Sequence, residues 1–255
     1  MMMMNRMMRF GVLVLGLLAG SLAGFGQQAG SSSPSAAELK RNIALVSSKG
    51  EEDGGLLVAR TARQLASYLK THNLSAADAK KLGLYLAVES GDAAQFRVYT
   101  FNYHSGGTRG QVNVPVMQWK NQVGKLFSYA PAMENGFYEI HKLKSPGRTL
   151  YLLLGDEQGS SRCMQHIAYV VELKGNYLLL DAPAFDQSPY LSLCDVTMEF
   201  DARQQVLRLD VTEFDVDYYE PEDEPYRLLK RWGFQSLSGT PRLALRFNGQ
   251  RFVKP

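Results

Sequence analysis

Cysteine is scarce in this sequence, which holds only Cys163 and Cys194 among 255 residues. An exported protein with a lipid anchor carries its modified cysteine directly after the leader. Both cysteines lie far from the N-terminus, so we do not expect a lipid-anchored N-terminus.

Two cysteines allow one intramolecular disulfide, between Cys163 and Cys194. Such a bond would persist in an exported protein, because disulfides are stable outside the reducing cytoplasm. If the strands around Ile167, Leu179 and Val196 were consecutive neighbours, the first and third would lie about 9 to 10 Å apart. A bridge needs Cα atoms within roughly 7 Å. A loop that folds back near Cys163 would shorten the distance, whereas Cys194 on an apolar face suits a small buried hydrophobe. Both interpretations stay open.

Long apolar runs are missing after the first 26 residues, so no membrane-spanning helix is expected in the rest of the chain. Within those 26 residues, two arginines precede an apolar run at 10–18, and small residues follow up to Gly26. This order predicts a signal peptide over residues 1–26, cleaved after Gly26. An uncleaved N-terminal anchor is the alternative, since the apolar run can extend to Phe25.

A clustered excess of positive charge is also missing. The formal charge of +3 falls to +1 once Arg6 and Arg9 leave with the leader, because no acidic residue is removed with them. Binding to nucleic acid requires many clustered lysines and arginines. We therefore expect no nucleic-acid partner, and no residue pattern indicates a cofactor.

Catalytic signatures are absent as well, since neither G-x-S-x-G nor H-E-x-x-H occurs. Ser67 and Lys70 match S-x-x-K on a predicted helix, but the S-x-N and K-T-G partners of that motif are missing. His104 and His166 have no base or nucleophile at an interpretable spacing. The sequence assigns no catalytic residue.

The organisation that is present begins with a Gly/Ser-rich tract at 27–35, which is typical of a flexible linker. Residues 36–255 are predicted to form a single globular domain. Its helical part spans 36–82, with Ser35 capping a helix at 36–47, an amphipathic helix at 55–71 and Ser75 capping a short third helix.

Residues 83–255 are predicted to form an antiparallel β meander of roughly ten strands. It opens with a hairpin at 94–119, and Gly-Asn and Asn-Gly turns at 175–176 and 248–249 indicate further hairpins. The other predicted strands are 125–129, 136–143, 149–154, 165–173, 177–182, 191–200, 205–212 and 243–254. The fold class is therefore mainly β (α+β), with two or three short helices first. The spacing leaves barrel, sandwich and propeller open, and the lack of helices between strands excludes a parallel sheet.

One face of the opening hairpin carries an aromatic row, Tyr99, Phe101 and Tyr103, and His104 follows at the loop. Aromatic rings can stack on a sugar or a peptide, so these four residues are candidate ligand contacts. Packing beneath the N-terminal helices explains the row equally simply, and we favour it.

The acidic run at 213–224 holds three candidate calcium ligands, Asp215, Asp217 and Glu220. It departs from the EF-hand pattern because Tyr219 and Glu220 stand where an Asp or Asn and then a Gly are needed. A solvated loop is the favoured interpretation, so no metal site is assigned.

The segment FRVYTFNYHSGGT at 96–108, followed by the strand series and by FDARQQVLRL at 200–209, resembles a family of exported bacterial β-meander proteins with an FRVY strand before a GGT loop. The resemblance implies export and a β meander, and it carries no established activity.

Export, a β meander and the missing catalytic signatures favour a binding or structural module of the periplasm or the extracellular space. Its partner would be an envelope or extracellular ligand. The alternative is an exported hydrolase whose site is assembled from loops, with His104, His166 and the acidic run as contributors.

Overall fold

Antiparallel strands are the predominant secondary structure of the described chain, and three helices precede them. The computed structural model describes residues 33–49, 55–90, 94–105, 110–160, 163–194, 196–210, 227, 230–232 and 242–255. The predicted leader, the acidic run with Asp215, Asp217 and Glu220, and the Gly-Gly-Thr loop at 106–108 lie outside these residues. The predicted fold class, mainly β with short helices first, is confirmed.

The helices follow the apolar periodicity of the sequence. They are α1 (Ala36–Lys49), α2 (Leu56–Leu69) and α3 (Ala76–Lys81). In α1, Leu39, Ile43 and Val46 recur on one face and are all buried. The predicted caps are present at α1 and α3, where Ser35 and Ser75 accept backbone N–H groups at 3.2 and 3.1 Å.

In the described part of the chain thirteen strands follow, rather than roughly ten. They are β1 (Tyr85–Val88), β2 (Phe96–His104), β3 (Gln111–Lys120), β4 (Leu126–Tyr129), β5 (Gly136–Leu143), β6 (Thr149–Ser160), β7 (Cys163–Lys174), β8 (Tyr177–Leu179), β9 (Tyr190–Cys194), β10 (Thr197–Asp201), β11 (Val206–Asp210), β12 (Arg242–Phe247) and β13 (Phe252–Val253). The predicted turns at 175–176 and 248–249 connect β7 to β8 and β12 to β13. Both turns contain a glycine with positive φ.

The strands form three sheets instead of one continuous meander. Sheet 1 is β1-β2-β3-β4, sheet 2 is β5-β6-β7 with both β8 and β9 on the far edge of β7, and sheet 3 is β10-β11-β12-β13. The predicted strand at 191–200 is wrong in one respect, because it divides into β9 and β10, which belong to different sheets. The alternation of apolar residues continues from β9 into β10 through buried Val196. The sequence therefore does not show that one strand ends and another begins.

The sheets stack in a sandwich-like order beneath the helices. Tyr99 and Phe101 on one face of sheet 1 share a core with Leu65 of α2. The other face of sheet 1 packs on sheet 2, and the far face of sheet 2 packs on sheet 3. Strand β6 lies between β5 and β7, and its residues 150–154 are buried on both faces of sheet 2. Helices and sheets belong to one compact unit, Ser33–Pro255.

Cys163 and Cys194 form a disulfide, with Cα atoms 5.2 Å apart. The assumption that a complete strand separates them is wrong, because β8 has only three residues and occupies only the end of β7 at Glu172–Lys174. Strand β9 pairs directly with β7 from Gln165 to Tyr169 and places Cys194 opposite Gln165. The short middle strand therefore brings the cysteines within bridging distance.

Candidate functional site

The candidate site originates where strand β4 stops. Strand β3 has ten residues, yet β4 pairs with only the last four, from Met117 to Lys120. Helix α2 packs over β3 and β4 and is tied to β4 by the Ser128 hydroxyl, which donates to the carbonyl of Ala66. Beside Val114 on β3, helix α2 is present and β4 is not.

This gap is a cleft of about 810 Å³. Helix α2 forms one wall, the chain at 129–134 after β4 forms the other, and Tyr103 and Val114 of sheet 1 lie at the base. The volume falls within the roughly 300 to 1,000 Å³ of ligand pockets in general. The cleft can therefore hold a small molecule or a short stretch of a polymer.

Small side chains on α2 keep this space open. Ala59, Ala62 and Ala66 recur three and four residues apart and line the cleft with Val58. Pro131 and Met133 extend the apolar lining on the opposite wall. The recurrence on α2 is readable in the sequence, but it equally describes a helix packed closely on a sheet.

The α2 wall also carries two cations. Arg63 and Lys70 are exposed, line the cleft and are separated by two helical turns, or roughly 10 Å along the axis. Neither forms an ion pair with another of the described residues. The opposite wall contributes one carboxylate, from Glu134. The charge around the opening thus favours an anionic group.

A buried polar network fixes the end of α2 on the sheet. The side-chain amide of Gln118, on β3, donates to the carbonyls of Leu69 and His72 at 2.5 and 2.7 Å. The Tyr99 hydroxyl donates to Gln118 Oε1 at 3.1 Å, and burial raises the pKa of Tyr99. These contacts hold the α2 wall at a set distance from sheet 1.

The predicted aromatic row divides between core and cleft. Tyr99 and Phe101 have no exposed surface and pack beneath the helices, as the core interpretation predicts. Tyr103, 5% exposed, lines the cleft. His104 is exposed at the end of β2, opposite Gln111. Of the four candidates, only Tyr103 contributes to the lining.

Ser67 and Lys70 of the S-x-x-K match both line the cleft. A lysine that activates a serine is normally desolvated, because loss of water favours the neutral amine. The Lys70 side chain is exposed to solvent. We therefore assign Lys70 to charge complementarity and not to catalysis.

A second polar group of residues lies on sheet 2. Asp156 on β6 stands directly opposite His166 on β7, and the buried Nδ1 atom of His166 has no hydrogen-bond partner among the described residues. Burial raises the pKa of the Asp156 carboxyl above its ordinary value of 3.8, while the nearby His166 opposes that shift. His104 belongs to sheet 1, so the two predicted histidines are in different sheets.

We expect Asp156→Asn to reduce the pH dependence of stability. A carboxyl whose folded-state pKa is raised favours folding while it is protonated, and this contribution is lost as pH rises from the unfolded value towards the raised folded value. Wild type should lose stability relative to Asp156→Asn over that window, which begins near pH 3.8. Urea unfolding in a pH series measures this. Parallel curves for wild type and Asp156→Asn would contradict the expectation, and Asp181→Asn is the exposed-carboxylate control.

Within the described part of the chain, no helix combines the length and apolar character needed to cross a membrane. The same residues contain no cluster of three or more His, Cys, Asp or Glu side chains arranged to hold a metal ion.

Comparisons with known proteins give no function to transfer, so the function is inferred from the cleft. No protein-family model, curated protein or solved structure matches this chain.

Proposed function

We propose that this protein is an exported binding module of the cell envelope, whose ligand combines an apolar body with an anionic group. The observation that carries the proposal is the cleft between α2 and residues 129–134. Its apolar lining suits a hydrophobic body, and Arg63 and Lys70 at the opening suit a negative charge.

Export is supported by two independent features. The first is the basic, apolar and small-residue order of positions 1–26. The second is the disulfide between Cys163 and Cys194, a bond that persists in the periplasm or outside the cell and is rare in the cytoplasm. The resemblance of residues 96–108 and 200–209 to exported β-meander proteins agrees with both.

A binding function is preferred to hydrolysis because the cleft contains no activated nucleophile among its described residues. The Ser128 hydroxyl donates to the Ala66 carbonyl, and Ser67 lies one helical turn from Lys70, which is solvated. The Asp156–His166 pair lies on sheet 2, whereas the base of the cleft is formed by sheet 1.

The proposal predicts that filling the cleft weakens the binding of an amphipathic anion. Ala59 is exposed and lines the cleft, so Ala59→Trp places an indole in the space without opening the core. Titration with anilinonaphthalene sulfonate, an apolar anionic dye, should show affinity reduced at least about tenfold, equivalent to about 1.4 kcal/mol.

Arg60→Trp is the matched control, because Arg60 is the next residue of α2, is exposed and is outside the lining. It should bind the dye as wild type does. Equal binding by Ala59→Trp and wild type, with both proteins cooperatively folded, would refute the cleft as the ligand site.

A further inference from the structure

Among the described residues, strand β3 has no neighbouring strand along part of one edge, from Gln111 to Val116. The Lys120 N–H donates to the carbonyl of Gln95 at 2.9 Å, and the Ser105 N–H donates to the carbonyl of Gly110 at 3.0 Å. These bonds show that even-numbered residues of β3 direct their backbone groups towards β2. Alternation in an antiparallel ladder then directs those of Gln111, Asn113 and Pro115 the other way.

Two prolines explain why β4 does not continue along this edge. Met117 pairs with Tyr129, so an extended β4 would place Pro131 opposite Pro115. Neither proline has an N–H, and that pair of residues would form no ladder hydrogen bond. The chain leaves β3 at this point, and Gln111 and Asn113 beyond it retain both a donor and an acceptor.

The outward backbone groups of Gln111 and Asn113 have no hydrogen-bond partner among the described residues. Val114, the neighbour of Asn113, lies at the base of the cleft. A strand placed beside this edge would direct alternate side chains to the face that carries Val114, where the cleft lies. The edge and the cleft are therefore parts of one surface.

We propose that the ligand is an extended peptide that adds to β3 as a strand, inserts alternate apolar side chains into the cleft and places a carboxylate at Arg63 or Lys70. This inference rests on the proposed binding function and specifies its ligand class. Strand addition uses main-chain hydrogen bonds for affinity and side-chain pockets for specificity. A lipid chain would fill the same space but would leave the backbone groups of Gln111 and Asn113 unpaired.

The first experiment presents the immobilised full chain with a pooled library of random seven-residue peptides that have unmodified C-terminal carboxylates. Recovered peptides are identified by mass spectrometry. We expect enrichment of peptides with alternating apolar residues and a carboxylate. The double variant Arg63→Gln with Lys70→Gln should bind the best of them at least about tenfold more weakly, as expected for loss of a charge-assisted hydrogen bond.

The double variant Lys40→Gln with Arg60→Gln is the matched control. It removes the same charge from exposed helical positions outside the lining and should bind like wild type. Equal weakening by both double variants would overturn the assignment of the carboxylate to Arg63 and Lys70.

The second experiment tests strand addition without altering the protein. The best peptide is synthesised in two forms, each N-methylated at one set of alternating residues. A strand donates from only one set to its neighbour, so one form should lose at least about tenfold in affinity and the other should change by less than about threefold. Equal effects of the two forms would overturn strand addition.

Failure of this inference is distinguishable from failure of the proposed function. Suppose that Ala59→Trp weakens dye binding, but wild type recovers no peptide more strongly than the Arg63→Gln, Lys70→Gln variant does. The ligand is then not a peptide, and the binding function stands. If neither the dye nor any peptide responds to Ala59→Trp, both proposals are overturned.

Discussion

Replacing Gln118 with leucine is expected to lower the free energy of unfolding by about 3 kcal/mol. Gln118 is 1% exposed, and its amide supplies hydrogen bonds to the carbonyls of Leu69 and His72. Neither carbonyl accepts another backbone hydrogen bond among the described residues beyond the α2 helix. Leucine has a similar size but no donor, so two carbonyls and the Tyr99 hydroxyl lose their partner.

Urea unfolding of wild type and Gln118→Leu measures this effect. Gln111→Leu is the control for the same substitution at an exposed position of the same strand, and it should change stability by less than about 0.5 kcal/mol. A double-mutant cycle with Tyr99→Phe separates the tyrosine contact from the two carbonyl contacts. If Gln118→Leu were no less stable than Gln111→Leu, the network would not anchor α2.

Loosening of α2 has a functional consequence, because this helix carries Arg63, Lys70 and the alanines of one cleft wall. At temperatures where Gln118→Leu remains folded, its affinity for the dye should fall although no lining residue has changed. Retained affinity in a destabilised variant would show that the wall is positioned by other contacts.

Removing the disulfide is expected to lower the free energy of unfolding by about 3 to 4 kcal/mol in the loop-entropy account. Cys163 and Cys194 are separated by 31 positions, so the bridge closes a long loop in the unfolded chain. The double variant Cys163→Ala with Cys194→Ala removes the crosslink without introducing a buried hydroxyl. Both positions are buried in the wild type, at 2% and 4% exposure.

Urea unfolding with and without reductant tests this expectation. Wild type should lose stability in reductant, whereas the double variant should be equally stable in both conditions. A wild type whose midpoint is unchanged after complete reduction, verified by thiol labelling, would show that β7 and β9 hold together by pairing and packing alone.

The sequence predicted the helices and most strands because each is encoded locally. Leu39, Ile43 and Val46 recur at helical spacing, and Ser35 and Ser75 provide side-chain caps. The two arms of the hairpin at 94–119 show a period of two, and turn-forming residues lie between them. Such signals depend on residues a few positions away, so they can be read without knowledge of the rest of the chain.

The candidate site was predicted only in part. Tyr103 was among the proposed ligand contacts, but Tyr99 and Phe101 carried the same signal and are core residues. The three aromatic residues alternate along the same face of β2, so each shows the same sequence pattern. This pattern cannot show how far along β2 the helices α1 and α2 cover that face. The pattern at 55–71 predicted an amphipathic helix, but it gave no indication that a cleft adjoins Arg63 on that helix.

By itself, the sequence determined the antiparallel character of the protein, its short leading helices and its main turns, since hydrophobic periodicity and turn chemistry act over short distances. Tertiary structure decided how the strands divide into three sheets, that three-residue β8 lets Cys194 reach Cys163, and that β4 ends where Pro131 would face Pro115. These outcomes depend on which strands become neighbours. Strand pairing joins residues that are distant in the chain, so a local pattern of apolar and polar positions does not specify it.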